Sequence, residues 1–318
     1  MKIRILVTII FTFIFSSCSD FSGNEDAVEA SLKPGSVEEE EGEPTRTYYD
    51  LDGITFGNNT FVAVGESGVV RISSDNGATW DNGTSGTTRQ LYEIAYGDST
   101  FVTVGQNGKY TIKYSSDNGD TWSSGTTNET SNYYGVANGD NIFAAVGNVN
   151  ILRSTDNGSN WTTITTANLR DVAFGNSTFV ACGADGATYT SANGSSWTSG
   201  TTVTSNLLNG ITFGNNIFIA VGASGTLIRS TDNGSTFAVR NSQVLTNLYS
   251  IAYGNSKFVA VGSNTVIAST DNTGSTFGIK ETTLSFNDVT FGNGVFVAVG
   301  YKIIYTSTDG DSWTKVYP

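Results

Sequence analysis

The side chains in this 318-residue chain that could act on a ligand are carboxylates, tyrosines and arginines, because the sequence contains no histidine. Catalytic triads that need an imidazole base, and histidine-ligated zinc or iron, are excluded. The chemically capable residues recur at one kind of position, just before or at the start of an apolar run: Asp52, Tyr92 with Glu93, Tyr134, Arg170 with Asp171, Asn209, Tyr249, and Asn287 with Asp288. Leu51, Leu91, Leu169, Leu208 and Leu248 stand beside them and fix where each run begins. Acids, tyrosines and amides gathered at one mouth can hold a sugar, a peptide or a cation by stacking and hydrogen bonding. The sequence gives no metal or cofactor signature. Its 16 basic residues are spread among 29 acids, a net charge of −13, which argues against nucleic acid as a partner because polyanion binding draws on clustered Lys and Arg.

The elements that must position these residues come from a repeat. A glycine closes an apolar run at Gly65, Gly105, Gly147, Gly183, Gly222, Gly262 and Gly300, in forms such as FVAVG. Residues 51–318 divide into seven units of about 38 residues. Each unit reads as four short strands: a segment such as Gly210 to Gly214, the FVAVG run, a strand such as Thr226 to Ser230, and an aromatic-led strand after a tight turn. Four strands per copy point to an all-β, seven-bladed propeller with four-stranded antiparallel blades rather than a solenoid. Both faces of the FVAVG run are apolar or small, as blades stacked face to face require. Small residues recur at Thr55, Ala95, Ala137, Ala173, Thr212, Ala252 and Thr290, where crowding of inner strands is expected. Cys182 takes a slot filled elsewhere by valine and reads as a core residue.

The first residues read as an address. Lys2 and Arg4 precede the apolar run Ile5 to Phe15, as in a secretory signal. Phe15-Ser16-Ser17-Cys18 resembles a bacterial lipobox, which implies a signal peptide over 1–17, lipidation of Cys18 and membrane attachment. Residues 18–47 lack strand periodicity and are acid-rich, with Glu38 to Glu41 in one run, so a disordered tether is expected. As a coil it would span roughly 30 Å. The propeller, 48–318, keeps 12 basic against 20 acidic residues, so about half of the chain's acidity belongs to the tether.

Between the third and fourth strands a turn recurs as Ser73-Ser74-Asp75-Asn76-Gly77-Ala78-Thr79-Trp80, and again with Asp117 and Trp122, Asp156 and Trp161, and Asp232 and Phe237. The copy with Asp271 and Phe277 is one residue longer; counting back from Trp197 and Trp313 puts Ala192 and Thr308 at the aspartate position. Asp and Ser can accept backbone N–H bonds across such a turn, Gly supplies positive φ, and the aromatic anchors the returning strand. The pattern resembles the Asp-box, or BNR repeat, of sialidase-like propellers, and is also similar to photosystem II assembly-factor-like propellers. WD40 repeats are excluded by their Gly-His signature.

The resemblance implies a structural role for the boxes and a ligand face opposite them, at the loops entering the first strands. It also raises sialidase-like glycosidase activity, with Arg89, Arg170 and Arg240 on loops between blades; the F/Y-R-I-P motif of sialidases is absent. Xyloglucanase-like enzymes use a cleft between two propellers, and this chain carries one. The expectation is a noncatalytic, monomeric binding module with a glycan or envelope protein as ligand, anchored in the bacterial cell envelope at the outer membrane or cell surface. The alternatives are a sialidase-like hydrolase and an assembly or chaperone factor for an envelope complex. Thr45 to Tyr49 offers a segment that could add a strand to the last blade.

Overall fold

The computed structural model describes residues 49–317. The expected signal peptide, Cys18 and the tether lie outside them. The described residues form seven four-stranded antiparallel sheets, each with its strands in sequence order, as a seven-bladed β-propeller. Blade one consists of Leu51–Gly57, Thr60–Gly65, Val69–Ser73 and Asp81–Thr84. Its first hairpin turns on Asn58 and Asn59, with φ of 47° and 58°. Positive φ at both central residues is the geometry of the two-residue turn whose twist matches that of the strands, and asparagine tolerates it. The register runs from Gly57 opposite Thr60 to Gly53 opposite Val64.

The FVAVG run is the second strand of each blade, and every residue of Thr60–Gly65 is buried. Blade packs on blade through these strands: Val62 and Val64 of blade one meet Leu91, Ile94 and Phe101 of blade two. Cys182 is fully buried at its valine-like position, and burial pushes its thiol pKa up.

Facing blades approach closely at a glycine ending each first strand, a different position from that of the small residues such as Thr55. A Cβ on Gly57 would stand 2.0 Å from the ring of Tyr96 in the next blade, and one on Gly175 would stand 2.1 Å from the ring of Phe213. Gly97 receives Asn138 instead of an aromatic ring, and Asn138 Nδ2 donates to Asp98 Oδ2. Gly292 of blade seven receives Phe56 of blade one at the same 2.0 Å. The ring therefore closes by the contact that joins its other neighbours. Tyr49 lies outside any strand and packs beside Tyr317 in the core shared by blades one and seven, and the four strands of blade seven come from one stretch, Asp288–Gly292 to Thr314–Tyr317.

The box turns have one internal logic. Ser73 Oγ donates to Asp75 Oδ1 and accepts the Gly77 amide, Asp75 accepts the amide and hydroxyl of Thr79, and the Trp80 indole donates to the Gly77 carbonyl. The copies at Asp117 and Asp156 repeat this pattern, with Asn160 replacing the threonine at the latter. The structure corrects the placing of Ala192 and Thr308 at the aspartate position. Asn193 accepts the amides of Ser195 and Ser196, and Asp309 accepts those of Asp311 and Ser312. These two turns are one residue shorter between serine and glycine, so the acceptor keeps its distance from Ser191 or Ser307 and shifts only when counted from the tryptophan. Neighbouring blades are also laced on this face: Asn58 donates to Asn118, Asn176 to Asn233, and Asn293 of blade seven to Asn76 of blade one.

Candidate functional site

The site begins with a β-bulge. In the first six blades the pairing of first and second strands slips by one residue near the strand start, between Leu51 and Gly53 in blade one and between Leu169 and Asp171 in blade four. A bulge re-aims the side chain it carries. The bulged residues are Asp52, Tyr92, Tyr134, Arg170, Asn209 and Tyr249, and Asn287 takes the corresponding place before the first strand of blade seven, its amide still bonded to Val299. The next residues around the ring are Gly53, Glu93, Gly135, Asp171, Gly210, Ser250 and Asp288. One cavity of about 130 Å³ is lined by Asp52, Tyr92, Glu93, Tyr134, Arg170, Asp171, Asn209, Tyr249, Ser250, Asn287 and Asp288. The structure thus brings together all ten residues singled out in the sequence, and adds Ser250. Aligning the repeats places Ser250 in register with Glu93, Asp171 and Asp288, which is the signal that could have found it.

The inner ring alternates glycine with a larger residue. A Cβ on Gly53 would lie 2.8 Å from the Cα of Glu93, and one on Gly135 would lie 2.7 Å from the Cα of Asp171. The axis is too crowded for side chains on adjacent blades unless they bond to each other. Seven being odd, the alternation breaks once, at Ser250 and Asp288, where the serine hydroxyl donates to Asp288 Oδ1.

Two inner-ring acids fasten neighbouring blades. Asp171 Oδ2 accepts the Ile211 amide of blade five at 2.7 Å while its Oδ1 accepts that of Val172. Asp288 Oδ2 accepts the Ile54 amide of blade one at 2.7 Å, and its Oδ1 also accepts that of Val289. Glu93 bonds only within its own blade, Oε1 accepting the Ile94 amide. In the outer ring, Asn209 and Asn287 donate to the carbonyls of Leu248 and Leu51 in the following blades. Asp52 accepts from Gln90 at 2.7 Å. The guanidinium of Arg170 lies 4.2 Å from the ring centroid of Tyr134, which is 5.3 Å from that of Tyr92. Tyr249 shares a hydrogen bond with Ser263.

Burial raises the carboxyl pKa values: Asp52 and Asp288 each to about 6, Asp171 to about 7, and Glu93 well above the ordinary value, with repulsion from Asp288 and Asp171 adding to the effect at Glu93. A second cavity of about 220 Å³ shares Glu93, Asp171, Ser250 and Asp288 with the first and is otherwise lined by residues such as Thr212, Ala252 and Thr290. The inner acids therefore stand between two chambers. Among the described residues, no group of three or more acidic or thiol side chains could hold a metal ion.

No protein-family model matches the chain, and no curated protein matches it. Similar solved structures share its ring. YCF48 bound to a D1 peptide aligns over 82% of this chain and 91% of its own, with 18% identity and a TM-score of 0.65. YCF48 from Cyanidioschyzon merolae gives 82%, 95%, 18% and 0.64 for the same measures. The WD40 propeller domain of Doa1 aligns over 83% of this chain and 95% of its own, with 15% identity and a TM-score of 0.65. At these identities the likeness is one of fold. The similarity to photosystem II assembly-factor-like propellers expected from the sequence has its counterpart in YCF48. The Doa1 domain shows that the WD40 ring can be matched without its histidine signature.

Proposed function

We propose that the protein is a noncatalytic binding module whose mouth engages a segment of polypeptide, and that it works at the bacterial cell envelope, held by a lipid on Cys18. The observation that carries the binding role is the way mouth polar groups are committed. Asp171 and Asp288 each accept backbone amides on both oxygens, and Asn209 and Asn287 are tied to the following blades. Groups locked in this way form a preorganised surface suited to recognition, whereas an acid–base catalyst must exchange a proton with its substrate. The aromatic pair of Tyr92 and Tyr134 beside the arginine adds rigid contact area. A polypeptide is preferred to a glycan because the cavity, about 130 Å³, admits one side chain; a cavity of about 150 Å³ holds one benzene. The YCF48 structure in complex with a peptide offers a parallel on the same fold.

Photo-crosslinking in intact envelopes tests the role. A photoreactive phenylalanine analogue at Tyr92 should capture a defined polypeptide, and one at Asn157 on the box face should not. Capture of glycan alone from Tyr92, or equal capture from both positions, would overturn the reading. Palmitate labelling tests the anchor, which fails if Cys18→Ala incorporates as much label as the wild type.

A further inference from the structure

The mouth carries four carboxylic acids against one basic residue, a surplus of acceptors and negative charge that narrows the kind of polypeptide it can receive. The amide nitrogens of Asn209 and Asn287 are spent on backbone carbonyls, which leaves the oxygen ends of both amides for a ligand. A carboxylate offers about four acceptor positions. Glu93 is shown using one, with the Ile94 amide, and Asp52 two, with Gln90 and, at 3.4 Å, Asn287. Arg170 is the one basic residue lining the cavity, against four acids; its guanidinium stacks on Tyr134, and its buried Nε has no hydrogen-bond partner among the described residues. Since no acidic group converges closely enough for a metal ion among the described residues, a donor that spreads several N–H bonds over separated acceptors fits better than a bare cation.

Building on the polypeptide reading of this site, we propose that the mouth receives the ammonium or guanidinium end of a single lysine or arginine side chain from an extended polypeptide, with Glu93 and Asp52 as the contacting carboxylates. Asp171 and Asp288, fixed to neighbouring blades, supply field rather than direct bonds. Asp52 is faced by Asp50, Glu66 and Asp288, and Glu93 by Asp288, Asp171 and Asp52, so neither acid has a basic partner among the groups that act on it most strongly. A bound cation offsets this repulsion and the desolvation of the carboxylates, so binding releases protons and strengthens from pH 5 to pH 8.

The test titrates the full-length protein with capped tripeptides, acetyl-Gly-X-Gly-amide, in which X is lysine, arginine, norleucine or glutamate. The lysine and arginine peptides should bind saturably, with the other two at least about tenfold weaker. Glu93→Gln and Asp52→Asn should each weaken the lysine peptide about fivefold or more without lowering the Tm at pH 7. Glu93 bonds within its own blade, so its variant is the cleaner of the two. Equal binding of norleucine, or lysine binding that does not change between pH 5 and pH 8, would overturn the cation claim and leave the polypeptide reading standing. Absence of saturable binding by any tripeptide would also overturn the claim, whereas the polypeptide reading itself falls only with the cross-links at the mouth.

Discussion

The two faces of the ring use aspartate in opposite ways. On the box face, Asp75 and Asp117 are exposed, and the threonine hydroxyls and amides bonded to them hold their pKa values below the ordinary carboxylate range. At the mouth, burial drives Asp171 and Asp288 above it, even though each accepts two or more hydrogen bonds. Hydrogen-bond donors decide the outcome where water still solvates the charge, and desolvation decides it where water is excluded. The box face repeats one turn with small variations in length, while the mouth places seven different environments at equivalent positions. Repetition therefore marks what closes the ring, and departure from repetition marks where it can discriminate among ligands.

The contrast can be broken at either face, and the largest expected effect lies at a box. Trp161 is 8% exposed and its indole donates to the Gly158 carbonyl at 2.8 Å, so Trp161→Ala should cost about 3–5 kcal/mol in urea denaturation. A loss below about 1 kcal/mol would show the aromatic anchor to be dispensable.

Next comes the pH response of the mouth. Asp171 and Asp288 have raised pKa values in the folded state, so the stability they contribute is fully present below the unfolded value, about 3.9, and is lost as pH rises through about 6 to 7. Tm should fall between pH 5 and pH 8, and Asp171→Asn should flatten that fall. An equally steep profile in the variant would remove Asp171 from the explanation.

A single box hydrogen bond is smaller. Asp117→Asn should cost about 1 kcal/mol at neutral pH. Here the sign is reversed: the pKa of Asp117 is lowered in the folded state, so its contribution is present above the unfolded value and is lost as pH falls through the folded one. Denaturation of wild type and variant should converge in acid, and a gap that widens there would contradict the assignment. The smallest effect is expected at Asn293→Ala, which removes the exposed bond to Asn76 between the last and first blades. It should stay within about 0.5 kcal/mol, because Phe56 over Gly292 still joins the two. A larger loss would mean that the asparagine lacing, and not the packing, closes the ring.

Much of this was legible in the sequence because it is local. The glycine ending each FVAVG run gave the blade count, and the strand starts gave the ten mouth residues, since a bulge at a fixed place in six of the seven repeats, and the matching position in the last, sends equivalent residues to the axis. What stayed hidden depends on contacts between repeats. Gly57 and Tyr96 lie 39 residues apart, and nothing within one repeat says that the glycine of one blade receives the ring of the next. The bonds from Asp171 to Ile211 and from Asp288 to Ile54 are of the same kind. Asn193 and Asp309 were readable in principle, but only by counting forward from the serine.

The alternation around the axis behaves like a two-colour pattern on a necklace. A necklace with an even number of beads can be coloured so that no neighbours match, and one with seven cannot. The mismatch here falls between blades six and seven, at Ser250 and Asp288. This gives a nearly rotational ring a fixed reference mark: no turn by one blade superimposes the mouth on itself, so a bound chain would meet it in one orientation. An eighth blade with glycine at this position, inserted between those two, would erase the mark and remove the hydroxyl partner from Asp288.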